Sequence, residues 1–392
     1  MIKTPRIRVQ VFIFTLIRIV INTAFRMVYP FLPHISRGLN ISLVQAARAL
    51  SIRSVAGIFG PVLASVADSR GRKSGMLLGL FLLIAGMTVV IIWPTYIGLI
   101  ISLVLASLGK FAHDPAMQAY LGDHVPYERR GAVIAITEMG WSGSYFLGMP
   151  LVGFLIARGG WLAPFPLLAI LALLSFIVVY LMLPKDPAVK KDKPSMFQNF
   201  GSVFTSGAAI AGLSMTLFLS LSNEVVNLVF GVWLEDSFQL QVAALGLASV
   251  VIGISEFGGE SLVSLVSDRI GKKRAIAIGL ICNSLAGIAL PFIAKSQTSA
   301  LVGLFLFYFF FEFTFVSSMP LMTEVLPKAR ATLMAVNIAT TSLGRAVAAW
   351  VTPAIFAYGF TTNAFVSAGI NVFALIALQY VHVSKEANSP II

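Results

Sequence analysis

The sequence has few charged residues for its length, and this scarcity excludes an ordinary soluble domain. Charged residues make up 11% of the 392 positions, hydrophobic residues make up 58%, and the mean hydropathy is +0.90. A chain of this composition needs a lipid bilayer as its solvent. Lys and Arg outnumber Asp and Glu by 28 to 16. We nevertheless expect no nucleic-acid partner, because most of these bases lie in short loops between apolar runs.

Cysteine and the common catalytic motifs are also missing or rare. Cys282 is the one cysteine and lies inside an apolar run, so the chain can form neither an internal disulfide nor a cysteine-based metal cage. No pair of histidines has the spacing of metal ligands, and we expect neither a metal nor a cofactor. The Gly-x-x-x-x-Gly-Lys-Ser/Thr phosphate loop and the Gly-x-Ser-x-Gly nucleophile turn are absent. These absences argue against an ATP-driven pump and against an enzyme.

Long apolar runs are abundant, and twelve of them can cross a hydrocarbon core of about 30 Å. The pattern predicts an all-α integral membrane protein with 12 transmembrane helices in two six-helix halves. The predicted halves are residues 1–183 and 201–392, joined by a polar linker at 184–200. The predicted spans lie near 10–33, 43–67, 74–94, 97–122, 131–156, 161–183, 203–230, 242–266, 275–294, 299–322, 331–356 and 361–382.

The loop bases predict the orientation of the chain. If the N-terminus is cytoplasmic, nineteen Lys and Arg residues fall on the cytoplasmic side. The opposite side then holds only Arg37, Arg158 and Lys295. By the positive-inside rule, we expect a multi-pass protein of the cell membrane with both termini in the cytoplasm.

One pattern of acid, glycine and bases occurs twice. The stretch at 64–73 ends an apolar run with an acid, a glycine turn and three bases, and it recurs 200 residues later at 264–274. Asp123 and Glu324, each followed at the same spacing by Pro and Arg, are displaced by 201 residues. The chain therefore consists of two copies of one plan.

The first of these loops resembles the signature of the major facilitator superfamily, Gly-x-x-x-Asp-Arg-x-Gly-Arg-Arg, with Ala64 and Ser69 in place of the usual Gly and Arg. The resemblance implies two halves built of inverted three-helix repeats, with substrate bound between them near the midplane. It also implies that Asp68 caps a helix of the opposite half and that Arg72 pairs with Asp123. The alternative is that these charges only set orientation. The predicted gating residues are Asp68, Arg70, Gly71, Arg72, Lys73, Asp123, Asp268, Gly271, Lys272 and Glu324.

The fifth span resembles the glycine and proline signature of the superfamily's drug and proton antiporters, although Met149 separates the Gly and Pro that the family has adjacent. The alternative is that its small residues let helices pack closely. Leu103 stands where the family has an arginine in span 4, with Lys110 and Asp114 deeper in the helix. The residues that carry the span 5 resemblance are Gly140, Gly143, Gly148, Met149, Pro150 and Gly153.

Charged residues occur inside eight of the spans, whereas every third span has none. A charge in hydrocarbon costs at least ~2.5 kcal/mol on insertion scales, so these residues should face a partner or a wet cavity. We expect the eight helices to surround an aqueous path. The alternative for the bases is a set of ion pairs with Asp114 and Glu138 that only holds helices together. The predicted substrate-cavity residues are Arg18, Asn22, Arg26, Arg53, Lys110, Asp114, Trp141, Tyr145, Asn227, Tyr308 and Arg345.

The second half is rich in embedded acids, and these predict proton coupling. Glu256 and Glu260 lie one helical turn apart, so their ionised forms would repel and at least one should hold a proton. The alternative is a permanent ion pair with Arg345. The predicted proton-coupling residues are Glu256, Glu260, Glu312, Glu138 and Glu224.

Together these features predict a monomeric secondary transporter whose partners are a small-molecule substrate, protons and the lipid bilayer. We expect proton-coupled efflux of amphipathic organic compounds by alternating access between the two halves. Two alternatives stay open at this point. One is a symporter or facilitator for a polar metabolite or lipid-like anion, and the other is a non-transporting membrane sensor with a transporter fold.

Overall fold

The computed structural model describes residues 7–184 and 200–382, without the side chains of 64–68, 127, 128, 131, 132, 200, 264, 268, 328 and 331. Within these residues the regular structure is helical, and no strand occurs. A π-helical segment, Ser144–Gly148, lies within span 5, and a short 3-10 turn, Pro327–Ala329, precedes span 11. The α-helices are α1 Ile7–Arg26, α2 Val28–Leu39, α3 Leu43–Gly57, α4 Gly60–Arg70, α5 Arg72–Ile92, α6 Tyr96–His124, α7 Tyr127–Gly143, α8 Met149–Gly159, α9 Pro164–Met182, α10 Phe200–Thr205, α11 Gly207–Asn227, α12 Phe230–Phe238, α13 Val242–Ile270, α14 Lys272–Ile293, α15 Gln297–Val325, α16 Arg330–Phe356 and α17 Phe360–Gln379.

These helices correspond to the twelve predicted spans. In the described part of the chain, ten helical stretches are long and apolar enough to cross a membrane. The two other predicted spans are also helical: α3 and α4 together occupy span 2, and the 27-residue α16 occupies span 11. The order of elements therefore agrees with the predicted all-α membrane fold.

The chain divides into two compact units. Unit 1 consists of Met1–Asp192 together with Gln239–Gly253, and unit 2 consists of Lys193–Phe238 together with Ile254–Ile392. The beginning of α13 thus belongs with unit 1, whereas the sequence placed all of span 8 in the second half. The predicted boundaries at 183 and 201 stay a prediction.

In unit 1, helices α5 and α6 touch through glycine. A Cβ atom added to Gly79 would lie 2.5 Å from the carbonyl oxygen of Gly109, and one added to Gly109 would lie 2.6 Å from the carbonyl oxygen of Gly79. No side chain fits at either position. Such contacts let backbones approach closely where lipid provides no hydrophobic force between helices.

Unit 2 combines an apolar core with buried amide contacts. Helices α10, α11, α14, α15, α16 and α17 supply the core, which includes Leu219, Leu280 and Met322. The side-chain amide of Asn371 donates to Oδ1 of Asn283 over 2.8 Å, and that of Asn283 donates to a carbonyl oxygen of α15 over 2.7 Å. Spans 9 and 12 have no charged residue inside them, but each therefore contributes a buried polar group that links helices.

The first span is broken rather than continuous. Helix α1 ends at Arg26, Met27 is a turn, and α2 begins at Val28. Pro30 explains the break, since it has no N–H to donate to the carbonyl of Arg26 and its ring crowds that carbonyl. Span 2 is broken in the same way, because Pro61 cannot donate to the carbonyl of Gly57, where α3 ends.

The seventh span is broken at the position equivalent to the break in span 1. Helix α11 ends at Asn227, and α12 begins at Phe230. No proline lies there. Instead, the N–H of Val229 donates to the carbonyl of Val226 over 3.1 Å, which tightens the chain into a short turn. Broken helices at matching positions of two repeats are typical of substrate sites in transporters.

Candidate functional site

The predicted gating loop of unit 1 has its expected ion pair. Nε of Arg72 donates to Oδ2 of Asp123 over 3.1 Å, and the side chain of Asp123 is 56% exposed. Gly71 has φ 107° and ψ 160°, a conformation that residues with a Cβ rarely adopt. Arg70 is exposed at the end of α4. The side chain of Asp68 lies outside the described residues, so its predicted cap stays a prediction.

Lys73 extends this loop to the last helix of unit 1. Its Nζ donates to the carbonyl oxygens of Tyr180 and Leu183, each over 2.7 Å. Helix α9 ends at Met182, where backbone carbonyls have no partner within the helix. A lysine at this place satisfies these carbonyls and opposes the negative end of the helix dipole.

Unit 2 repeats both contacts 200 residues further on. Lys272 donates to Oε1 of Glu324, and Gly271 has a positive φ of 87°. Nζ of Lys273 donates to the carbonyl oxygen of Val381 over 2.8 Å, beyond the end of α17. The internal repeat therefore extends to side-chain contacts. The side chain of Asp268, the remaining gating candidate, is not among those described.

A buried network of ions joins spans 1, 4 and 5 in unit 1. Nζ of Lys110 lies 2.6 Å from Oδ2 of Asp114 and 2.6 Å from Oδ1 of Asn22. Arg18 lies 3.5 Å from the same Asp114 oxygen and 2.5 Å from Oε1 of Glu138. Glu138 is thus already paired, which favours a structural role for it over proton transfer. For Arg18 and Lys110, the structure supports the ion-pair alternative.

Two further arginines of unit 1 lie against aromatic rings at the break in span 1. The guanidinium carbon of Arg26 lies 3.9 Å from the ring centroid of Trp141 and 3.7 Å from that of Tyr145. Arg53, which is 1% exposed, donates to the carbonyl oxygen of Phe25 over 2.8 Å and to the hydroxyl of Tyr29 over 2.5 Å. Guanidinium groups stack favourably on aromatic faces.

In unit 2, polar groups converge on the break in span 7. The amide of Asn227 donates to Oε2 of Glu224 over 3.3 Å, and the hydroxyl of Tyr308 donates to Oδ1 of Asn227 over 2.9 Å. Glu224 is 1% exposed and Tyr308 is 2% exposed. The structure thus brings together three of the predicted site residues.

The predicted acidic pair on α13 lies beside α15. Glu256 is 3% exposed, Glu312 is 6% exposed, and Glu260 is half-buried. A Cβ atom added to Gly259 would lie 3.1 Å from the Cβ of Glu312, so the two helices touch here. Arg345 forms no ion pair with any of these glutamates among the described residues. This finding argues against the alternative that Arg345 neutralises them permanently.

The glycines of span 5 lie at helix contacts. A Cβ atom on Gly140 would lie 2.7 Å from the Cβ of Arg18, and one on Gly153 would lie 3.0 Å from the carbonyl oxygen of Val242. Both partners belong to unit 1. The contacts support the packing alternative for this stretch, while its role in export stays a prediction.

Several contacts have no clear signal in the sequence. Arg53 binds a main-chain carbonyl, and the two loop lysines cap helix ends, whereas sequence patterns indicate only side-chain partners. Pro30 is the one available signal for Arg53, because the break that it causes leaves carbonyls in need of donors. Among the described residues, no three His, Cys, Asp or Glu side chains are grouped in a way that could hold a metal.

Twelve spans, duplicated loops and buried charges define a class, the secondary membrane transporters. The sequence profile of the Major Facilitator Superfamily matches residues 14–223 and 212–391, and the chain belongs to this family. This confirms the predicted all-α fold with 12 transmembrane helices in two halves. The chain is accordingly a multi-pass membrane transporter of small molecules rather than an enzyme.

Among its curated relatives is the uncharacterized MFS-type transporter YwfA of Bacillus subtilis (strain 168), 24% identical over 360 residues, which cover 89% of this chain and 86% of YwfA. The inner membrane transport protein YdhP of Escherichia coli (strain K12) is 24% identical over 339 residues, 84% of each chain.

Solved structures share the fold at low identity. A D-xylose-proton symporter has a TM-score of 0.78 at 17% identity, with coverage of 98% of this chain and 99% of its own. A bacterial homologue of the human lysosomal transporter Spinster has a TM-score of 0.71 at 16% identity, with 97% of both chains covered.

Proposed function

We propose that this chain is a proton-coupled exporter of amphipathic organic compounds that works by alternating access. The observation that carries the proposal is the number of buried acids in unit 2. Glu224, Glu256 and Glu312 are each at most 6% exposed, and Glu260, one turn from Glu256 on α13, is half-buried. Arg345, the one base within the predicted spans of the second half, pairs with none of them among the described residues.

Such acids can carry protons. An ionised carboxylate is costly in a low-dielectric interior unless a partner neutralises it, and protonation removes that cost. When the site opens to water on either side, hydration favours ionisation and releases the proton. Glu256 and Glu260 strengthen the argument, because two negative charges one turn apart repel each other.

The aromatic residues of span 5 support an amphipathic substrate. Trp141 and Tyr145 lie one turn apart with Arg26 against both rings. Rings with a polar group beside them suit a molecule that is apolar in one part and polar in another. Both units belong to one chain, which supports a monomer as the proposed working form. The excess of loop bases on one side supports cytoplasmic termini in the cell membrane.

The test compares three glutamine variants, Glu256→Gln, Glu260→Gln and Glu312→Gln, in proteoliposomes. The substrate is the compound that most raises the melting temperature of the purified protein, since ligands stabilise the folded state by mass action. Each variant is measured for transport driven by a pH gradient and for downhill exchange of substrate. A coupling residue loses the first activity and keeps the second. Asp236→Asn, at an exposed acid of unit 2, is the matched control.

The other functions predict different results. Symport gives substrate uptake along the proton gradient, as the name of the D-xylose-proton symporter indicates for that neighbour. A sensor binds the compound without any flux. Full proton-driven transport in all three glutamine variants would assign the glutamates a structural role and remove the main support for coupling.

A further inference from the structure

We infer that unit 1 binds the carboxylate of its amphipathic substrate at Arg53 and Asn22, so that the transported compounds are organic anions. This inference rests on the proposed function and names its substrate class. It follows from the charge balance, from unused hydrogen-bond donors and from the aromatic surroundings of these two side chains.

Arg53 differs from the buried bases of the ion network in unit 1, because its described contacts include no carboxylate. Lys110 and Arg18 share Asp114, and Arg18 also binds Glu138. Arg53 contacts a carbonyl, a hydroxyl and two rings, and it reaches no carboxylate among the described residues. An arginine side chain stays charged in proteins. Among the residues that the structure describes, the positive charge of Arg53 therefore has no negative charge beside it, although the side chain is only 1% exposed.

Two unused donors lie near the end of α1. Nε of Arg53 and Nδ2 of Asn22 are buried, and neither has a hydrogen-bond acceptor. Asn22 is 0% exposed, and its oxygen already accepts from Lys110. Buried donors without partners are rare and costly in proteins. A carboxylate, which only accepts hydrogen bonds, supplies what both nitrogen atoms lack.

Phe25 connects these groups. The guanidinium carbon of Arg53 lies 4.3 Å from the ring centroid of Phe25, and Nζ of Lys110 lies 5.9 Å from the same centroid. Asn22 precedes Phe25 by three residues on α1, which is close to one helical turn. Two positive charges thus lie near the ring of Phe25, and the amide donor of Asn22 lies about one turn earlier on the same helix, close to its break.

The surroundings favour a monoanion with an apolar body. The carboxylate of a substrate carries one negative charge. It would neutralise the single positive charge of Arg53, which no carboxylate of the described residues contacts. Phosphate esters carry nearly two charges at neutral pH and would overcompensate. Trp141, whose ring centroid lies 5.0 Å from Nζ of Lys110, provides an aromatic surface for the rest of the molecule.

A structural role for Arg53 predicts something different. If it serves only to satisfy the carbonyl of Phe25, replacing it weakens the binding of every compound equally or unfolds the protein. Arg53→Gln keeps hydrogen-bond donors but removes the charge. Asn22→Asp keeps the acceptor for Lys110 and adds a negative charge inside unit 1. Arg158→Gln removes an exposed arginine outside the cluster and is the matched control.

The experiment measures melting temperatures of the purified full chain with a series of ω-phenylalkanoates from phenylacetate to 6-phenylhexanoate. Neutral amides and amines of the same lengths are the comparison compounds. We expect the acids to stabilise the wild type and the Arg158→Gln control, whereas the amides and amines do not. In Arg53→Gln and in Asn22→Asp the apparent affinity for the acids should fall at least about tenfold. Without ligand, Asn22→Asp should melt at a higher temperature than the wild type.

Three results would overturn the inference. They are stabilisation by the amines or amides as strong as that by the acids, wild-type affinity for the acids in Arg53→Gln, and no stabilisation by any acid of the series. If Arg53→Gln does not fold, the Asn22→Asp variant decides alone, and wild-type affinity for the acids in that variant overturns the inference. Acid binding without any proton-driven flux refutes the proposed function and leaves this inference intact. Proton-driven flux of an amine, with no binding of acids, refutes this inference and leaves the proposed function intact.

Discussion

Asp114→Asn is the substitution whose effect on stability the structure predicts most sharply. The carboxylate of Asp114 lies 2.6 Å from Lys110 and 3.5 Å from Arg18, and the residue is 9% exposed. Without it Arg18 keeps Glu138 at 2.5 Å, whereas Lys110 keeps the amide oxygen of Asn22 and two aromatic rings but no carboxylate among the described residues. Removing one partner of a buried ion pair costs ~3–5 kcal/mol, because the remaining charge stays buried. We expect a loss of this size in the free energy of unfolding.

Asp123→Asn is the matched comparison, since it removes the same type of charge from an exposed pair. The side chain of Asp123 is 56% exposed and that of its partner Arg72 is 20% exposed. Exposed ion pairs contribute about 0–1 kcal/mol, and salt screens them further. We therefore expect Asp123→Asn to leave stability nearly unchanged while it slows transport, because the loop contact stabilises one conformation rather than the core.

Unfolding in mixed micelles, titrated with sodium dodecyl sulfate at low and high salt, measures both variants on one scale. The argument predicts that Asp114→Asn loses at least ~2 kcal/mol more than Asp123→Asn and that high salt does not remove the difference. Equal losses would refute it, since they would mean that water screens the Lys110 and Asp114 pair as effectively as it screens a surface pair.

Two further predictions concern topology and helix packing. In a Cys282→Ser background, a cysteine at Ser69 should resist an impermeant external thiol reagent, whereas one at Ser296 should react. The reason is that the loop bases place these two positions on opposite faces of the membrane. Labelling of the cysteine at position 69 from outside would show that the predicted orientation is wrong. Gly79→Ala should destabilise the fold by ~1–3 kcal/mol, because its Cβ would lie 2.5 Å from a backbone oxygen. Gly122→Ala, with nothing within 4 Å, should be neutral, and thermal unfolding of the two variants side by side checks this.

The ion pair of Arg72 with Asp123 was predicted from the family resemblance of the loop, and the internal repeat extended that prediction to Lys272 and Glu324. Arg72 and Asp123 lie 51 residues apart, and a corresponding pair, Lys272 and Glu324, lies 52 residues apart in the second half. A repeated pair of opposite charges at the ends of neighbouring spans has few other partners. The number of spans was similarly predictable, because about 20 apolar residues are needed to cross the membrane, whatever their exact packing.

The breaks and the helix-capping contacts were harder to predict, for a physical reason. Hydropathy reports the free energy of placing side chains in lipid. It does not change at a turn of two residues within an apolar run and therefore cannot reveal that turn. The turn between Asn227 and Phe230 has no proline to reveal it. Contacts to main-chain carbonyls, such as that of Arg53 with Phe25, are invisible to patterns of side-chain types. Both depend on where hydrogen bonds are lost when a helix ends.

The capping lysines connect the ends of neighbouring helices within each unit. In unit 1, the neighbouring residues Arg72 and Lys73 connect the start of α5 to the ends of α6 and α9. These contacts hold three helices together at one side of the unit. Lys272 and Lys273 do the same for α14, α15 and the chain just after α17. The broken spans 1 and 7 do not take part in these loop contacts. We therefore expect that a change of helix angle at either break alters the polar site beside it, while the three helices joined by the loop contacts keep their mutual positions.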